Sequence, residues 1–262
     1  MSVAVIVGSA YGLEQANDAP LEIVTVDTPL GPHTLYRRTD LSRDAWVAFR
    51  HERPHRLLPH QIPYRRQAAA LKAVGCGALL VTSSVGVMDP EVPILTPLWV
   101  QDLLMPDNRL PDGTACTMFT EPSTTHGHLV LEDGLFSTAL TRQLQHLCDG
   151  ASHPMAAGVI FAYVGGPRTK TAAENAWWAA CGAQVNSMTL APEVVLANEL
   201  EIPTAALVVG HKYSVPGVKT PAESGIARSL KDARTAMDAC IDAFLVAATA
   251  VPFANHLFRF PS

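Results

Sequence analysis

The stretch Arg65-Arg66-Gln67-Ala68-Ala69-Ala70-Leu71-Lys72-Ala73-Val74-Gly75, followed by Ala78-Leu79-Leu80-Val81-Thr82, decides the fold class. Ala68, Leu71 and Val74 recur at helical spacing, and Gly75 stands where a helix ends in a left-handed turn. The next run is continuously apolar and too short for a helix. It therefore reads as a strand buried on both faces, the kind found in parallel sheets. The same alternation extends in both directions along the chain. Strands are expected at Ser2–Val7, Leu21–Val26, Thr34–Tyr36, Gly158–Val164 and Ala205–Val209. Helices are expected at Leu135–Leu147, Thr171–Cys181 (stopped by Gly182), Pro192–Leu200 and within Pro221–Ala250. Pro90–Leu98 is extended, and Leu104–Gly127 reads as a long loop, of the kind that tends to carry function. Strands alternating with helices predict an α/β fold. With no internal repeat and no linker-like segment, residues 1–262 read as one domain.

Composition narrows the function classes. The 262 residues are 48% hydrophobic and 16% charged, with a formal net charge of −5. Such a chain has enough apolar material to fold, and it shows no basic stripe for a nucleic acid. The apolar run at Ser2–Val7 is too short to span a bilayer and lacks the marks of a signal peptide. The five cysteines are scattered, without a CxxC pair, and read as buried free thiols in a reducing cytoplasm. No zinc site is expected.

Small polar residues follow three of the apolar strands: Ser9, Ser83 with Ser84, and the stretch His211-Lys212-Tyr213-Ser214. Open α/β sheets bind ligands outside the carboxyl ends of their strands, where hydroxyls and free backbone N–H groups cradle anions. The other reading is that these residues only make the turns. Arg50-His51 closes a further short apolar strand within a basic segment that includes Arg53, His55 and Arg56. An arginine there is either a phosphate partner or part of a solvated loop.

The segments Arg50–Arg65, Ala69–Gly75, Val81–Gly86, Gly166-Pro167-Arg168 and Gly182–Glu199, the last containing Asn186-Ser187-Met188-Thr189, occur in an order and spacing that resemble the trimeric purine nucleoside and methylthioadenosine phosphorylases. That resemblance implies a mixed, partly closed β-sheet flanked by α-helices and a homotrimer with sites near subunit boundaries. It implies cleavage of an N-glycosidic bond by inorganic phosphate, the co-substrate, with no cofactor. By the same resemblance Ser9, Arg50, His51, Ser83, Ser84 and Thr189 bind phosphate. Met188 lies under the sugar, and His128 approaches the 5′ end of a neighbouring subunit's nucleoside.

The chain departs from that pattern at the end that takes the base. Glu52 replaces the usual glycine after Arg-His. Thr169 and Lys170 follow Gly-Pro-Arg, where an aromatic and then a serine or glutamate are usual. Lys212 and Ser214 stand where carboxylates or an asparagine recognise the purine, next to His211. A lysine only donates. It either stabilises an anionic or oxygen-rich leaving group, with Lys170 reinforcing it, or points to solvent in a degenerate site. Lys212 and Ser214 are the expected catalytic positions, with Thr169, Lys170, His211, Met188 and His128 on the nucleoside. Glu174 and Glu193 are read as helix-start braces, and Trp177 and Trp178 as helix packing residues or, for one of them, as facing a subunit interface.

Overall fold

The computed structural model describes residues 1–8, 20–215 and 223–259, with side chains of the last segment from position 234 onward, Ala236 excepted. Its centre is β5 (Cys76–Val87), which is buried at all but one position along its twelve residues. The first half of β5 pairs in parallel with β1 (Ser2–Val7). Its last two residues pair instead with β9 (Val185–Ser187), antiparallel. Along its other edge runs β10 (Thr204–Tyr213), parallel from Leu79 to Val87. Thus β1 and β9 take different stretches of one edge and part company between Val81 and Gly86. That divergence opens a crevice at the carboxyl ends of the strands, the topological position at which α/β sheets bind ligands.

The remaining strands complete a mixed sheet. β10 pairs antiparallel with β6 (Pro97–Leu104), whereas β6 pairs in parallel with β8 (Gly158–Tyr163), and β8 in parallel with β9. Since β9 returns to β5, strands β5, β10, β6, β8 and β9 form a closed ring. On the other side β1 continues to β4 (Ala45–Phe49), β3 (His33–Arg38) and β2 (Leu21–Val26), which ends the sheet. The fold is the mixed, partly closed α/β sheet expected.

Strand alternation divides the core into two layers. Ala4, Ile6, Leu79, Val81, Ala206 and Val208 face α1 (Tyr64–Ala73) and α4 (Ala191–Glu199). Val3, Val5, Ala78, Leu80, Ala205 and Leu207 face α2 (Thr138–Gly150) and α5 (Glu223–Ala247). Gly75 ends α1 at φ +69°, as its position required. α3 (Ala172–Ala180) is a surface helix with no buried residue. A short ribbon of β7 (His128–Val130) and β11 (His256–Phe258) stands outside the main sheet.

Some expectations are corrected here. Ser83–Gly86 and His211–Tyr213 lie within strands rather than after them, because ring closure keeps β5 and β10 paired to their ends. Trp177 is 55% exposed, so it does not pack its helix; only Trp178 reaches a small cluster of Met88, Ala162, Val164 and Ala183. Four thiols are buried, but Cys181, at the exposed end of α3, is not.

Candidate active site

Two rows of residues cross the sheet at the crevice. In the first, β4 delivers Arg50, β1 delivers Gly8, and β5 delivers Ser83. A Cβ on Gly8 would stand only 3.0 Å from Arg50 Nη1 and 3.9 Å from Ser83 Cα, so glycine is what lets the guanidinium lie against this strand end. Arg50 is almost fully buried, and its charge is held from behind. Nε and Nη2 donate to the two carboxylate oxygens of Glu193 at 2.6 and 2.7 Å. Glu193 also accepts from Gln67 Nε2 at 3.3 Å and from the Leu190 backbone N–H at 2.9 Å. Glu193 therefore braces its helix start, as read from sequence, and also ties Arg50 to the turn after Thr189. That turn places Leu190 at φ +77°, a left-handed backbone that a branched side chain adopts only when its surroundings enforce it.

His51 is also buried. Its Nδ1–H donates to the Leu57 carbonyl at 2.7 Å, and its ring stacks on His55 at 4.5 Å. Burial, then the Arg50 charge, hold its pKa down to about 4. The imidazole is therefore neutral near pH 7, with Nε2 as an acceptor. Glu52, where a glycine was expected, sits at φ +64°, a conformation glycine adopts freely; its carboxylate pairs with Arg56.

The second row joins β10, β5 and β9. Lys212 registers with Gly86, and Gly86 with Asn186. The β10 register shifts between Gly210 and Lys212, leaving His211 as the extra residue of a bulge. Bulges bend a strand and re-aim its side chains. A Cβ on Gly86 would meet Ser214 Oγ at 2.5 Å and Asn186 Oδ1 at 3.3 Å, so only glycine admits that approach. Burial, then the Lys212 charge, lower the pKa of His211. Lys170 is lowered to about 8, by burial first and by Lys212 second.

Both rows line one cavity of about 400 Å³, together with His51, Ser84, Thr169, Met188 and Thr189. Ser9 lies outside the described residues. His128 does not reach this cavity; within one chain it lines a separate one of about 820 Å³, with Phe119, His126 and Glu199. The sequence reading missed Asn175, Asn186, Ser187 and His55, which also line the site. Ser187 Oγ accepts from Ser83 Oγ at 3.2 Å, and Asn186 Nδ2 donates to Asn175 Oδ1 at 3.1 Å. The signal available was the polar pair Asn186-Ser187 directly before Met188. Among the described residues, no group of three or more His, Cys, Asp or Glu side chains is placed to hold a metal ion. No described helix is long and apolar enough to cross a membrane.

A family model described as the phosphorylase superfamily matches residues 2–246. The chain belongs to this superfamily. Among its superfamily relatives is an S-methyl-5′-thioadenosine phosphorylase of Mycolicibacterium smegmatis, 31% identical, matched over 80% of this chain and 76% of the relative. A purine nucleoside phosphorylase of Streptomyces coelicolor is 33% identical, over 77% and 71% respectively. Of solved structures, a mutant adenosine/methylthioadenosine phosphorylase from Schistosoma mansoni with methylthioadenosine superposes with TM-score 0.75 at 22% identity, covering 92% of this chain and 90% of that one. A methylthioadenosine phosphorylase from an antarctic soil metagenomic library gives TM-score 0.74 at 21% identity, over 93% and 86%. At these identities the two structures establish the superfamily fold.

Proposed function

We propose that this protein cleaves the N-glycosidic bond of a purine-type nucleoside or 5′-modified analogue with inorganic phosphate, releasing the free base and a pentose 1-phosphate. The observation that carries the reading is the row of Arg50, Gly8 and Ser83, with Thr189 on the same cavity, in a chain of the phosphorylase superfamily. Arg50 Nη1 is the guanidinium nitrogen that Glu193 leaves uncommitted, and it faces Gly8. Phosphate bound there, with Ser9, Ser83, Ser84 and Thr189 as further partners, is held for attack on the anomeric carbon. The new bond forms from a phosphate oxygen to that carbon as the carbon–nitrogen bond breaks, and the bonding pair leaves with the base. Met188 and Thr169 border the sugar and base. A neutral His51 offers an acceptor beside the phosphate.

The active form in this reading is a homotrimer, in which His128 of one subunit serves the 5′ end of the neighbour's nucleoside. Base recognition differs from the adenine type, since Lys212 and Ser214 hold the positions of the recognising acids. Adenine nucleosides are accordingly expected to be poor substrates, because ammonium and exocyclic amine are both donors. The test is base release from a nucleoside panel with and without phosphate. Release that needs phosphate and yields pentose 1-phosphate is the expected result. Release without phosphate would make the protein a nucleosidase, and binding without turnover a silent homologue; either outcome overturns the proposal.

A further inference from the structure

The cavity's charged lining is of one sign. Among the described residues on it, Arg50, Lys170 and Lys212 are the cations, the neutral His51 lines it with His55 and His211, and there is no aspartate or glutamate. The Arg50 charge is balanced by Glu193 behind it. The two lysines differ: among the described residues neither has an ion-pair partner. Glu174, the acid closest in charge influence to Lys170, is fully engaged by a bidentate contact to Arg168 at 2.6 and 2.9 Å and by the Thr171 N–H at 2.7 Å.

Lys212 is also separate from the row of Arg50, Gly8 and Ser83. Lys212 lies in register with Gly86, three residues along β5 from Ser83, which is about 10 Å at the rise of a strand. Lys170 lines the same cavity in a half-buried position, where burial first and the Lys212 charge second disfavour its ammonium form. Lys170 is half-buried and Lys212 exposed, and both line the same cavity, which carries no acid; a neutral ligand bound against them would leave the desolvated Lys170 charge uncompensated. The cavity thus carries fixed cations in both rows, Arg50 in the first and Lys212 in the second.

We infer that the base end is built for an anionic leaving base: a nucleoside whose heterocycle carries a carboxylate or an ionised oxo edge, held by Lys170 and Lys212. This rests on the phosphorolytic reading above and names the substrate class for it. When the carbon–nitrogen bond breaks, the electron pair stays on the base nitrogen, and the added negative charge develops beside two fixed cations. The departing base then takes its proton from solvent. Asn175 and Asn186, joined to each other, supply neutral polar groups beside the lysines and leave the charge discrimination to them.

The experiment is direct binding of free bases, by calorimetry, to the full chain without phosphate. Purine-6-carboxylate is compared with purine-6-carboxamide, and urate with hypoxanthine. The anionic member of each pair is expected to bind about tenfold or more tightly, the worth of one charge-assisted contact. Lys170→Met and Lys212→Met each reduce that ratio, the double variant abolishes it, and Lys212→Arg retains it. Equal binding of the neutral bases, or a ratio that survives both methionine variants, overturns the inference. Phosphate protection against thermal unfolding, measured separately, tests the underlying reading. If phosphate protects and neutral nucleosides are cleaved, the enzyme stands and the charged base falls; if neither phosphate nor any base binds, both fall.

Discussion

Arg50 and Glu193 illustrate how a single contact serves both stability and chemistry. The pair is almost completely buried and doubly hydrogen-bonded. Removing one partner leaves an uncompensated charge in the core. Glu193→Ala is therefore expected to cost about 3–5 kcal/mol in chemical denaturation. Replacing both, as Arg50→Met with Glu193→Leu, should recover most of that stability, since well-packed apolar groups substitute tolerably for a buried pair. It should not recover phosphate-dependent turnover, because Nη1 has gone. A double variant with normal turnover would show that Arg50 is purely structural. His51 gives a second expectation, with a definite sign. Its pKa is lowered from 6.5 to about 4 in the folded chain, by burial and by Arg50. The unfolded chain therefore binds more protons between those values, and stability falls as pH drops from about 6.5 toward 4. His51→Asn should flatten that part of the pH–stability curve, as followed by thermal unfolding; His33, lowered similarly by burial and Arg66, leaves a residual slope. The roles of Arg50 and His51 as lining residues were legible because both sit directly at a strand end. The hold that Glu193 has on Arg50 was not, since those residues are 143 positions apart and no local pattern links them.

At the scale of elements, legibility followed the length over which a pattern repeats. α1, α2 and α4 carry apolar positions at helical spacing, and β1 and β8 are continuous apolar runs, so each was readable within a residue or three of its bounds. The carboxyl halves of β5 and β10 were not. Ser83, Ser84, His211 and Lys212 are polar, and their strand conformation comes from partners elsewhere in the ring rather than from their own propensity. β9 and the β7–β11 ribbon are three residues per strand, and β11 finds β7 more than a hundred residues earlier. Such pairings have no sequence period to detect. α3 misled in a different way. Its Glu174 was read as a helix-start brace, and forms a reciprocal capping box with Thr171. Its tryptophans looked like packing residues, yet its alanine-rich turns bury nothing and leave Trp177 in the open. The cavity itself arises where β1 and β9 diverge from β5. That is a property of pairing order, which no single segment encodes.

At the scale of the whole molecule, the described residues include a group of exposed apolar side chains. Val130, Leu131 and Phe258, on and beside the β7–β11 ribbon, are 37%, 50% and 47% exposed. Leu131 lines the cavity that holds His128, which is separate from the cavity of Arg50 and Lys212. Adjacent exposed apolar groups of this kind mark association surfaces more often than free surface. In the proposed homotrimer these groups are expected to be buried and His128 to be brought toward a neighbour's site. Light scattering at micromolar concentration is expected to give a mass near three times 28.0 kDa. Leu131→Asp places a charge that would have to be desolvated in the contact, so it should shift the mass toward the monomer. Because its side chain is half exposed in the single chain, the substitution should leave the thermal stability of the isolated fold largely intact. The dissociated variant should bind phosphate, whose proposed partners Arg50, Ser83 and Thr189 line one chain's cavity, while its affinity for nucleoside falls. A wild-type monomer, or a monomeric variant with unchanged nucleoside affinity, would mean that the site is complete within one chain and that His128 belongs to another surface.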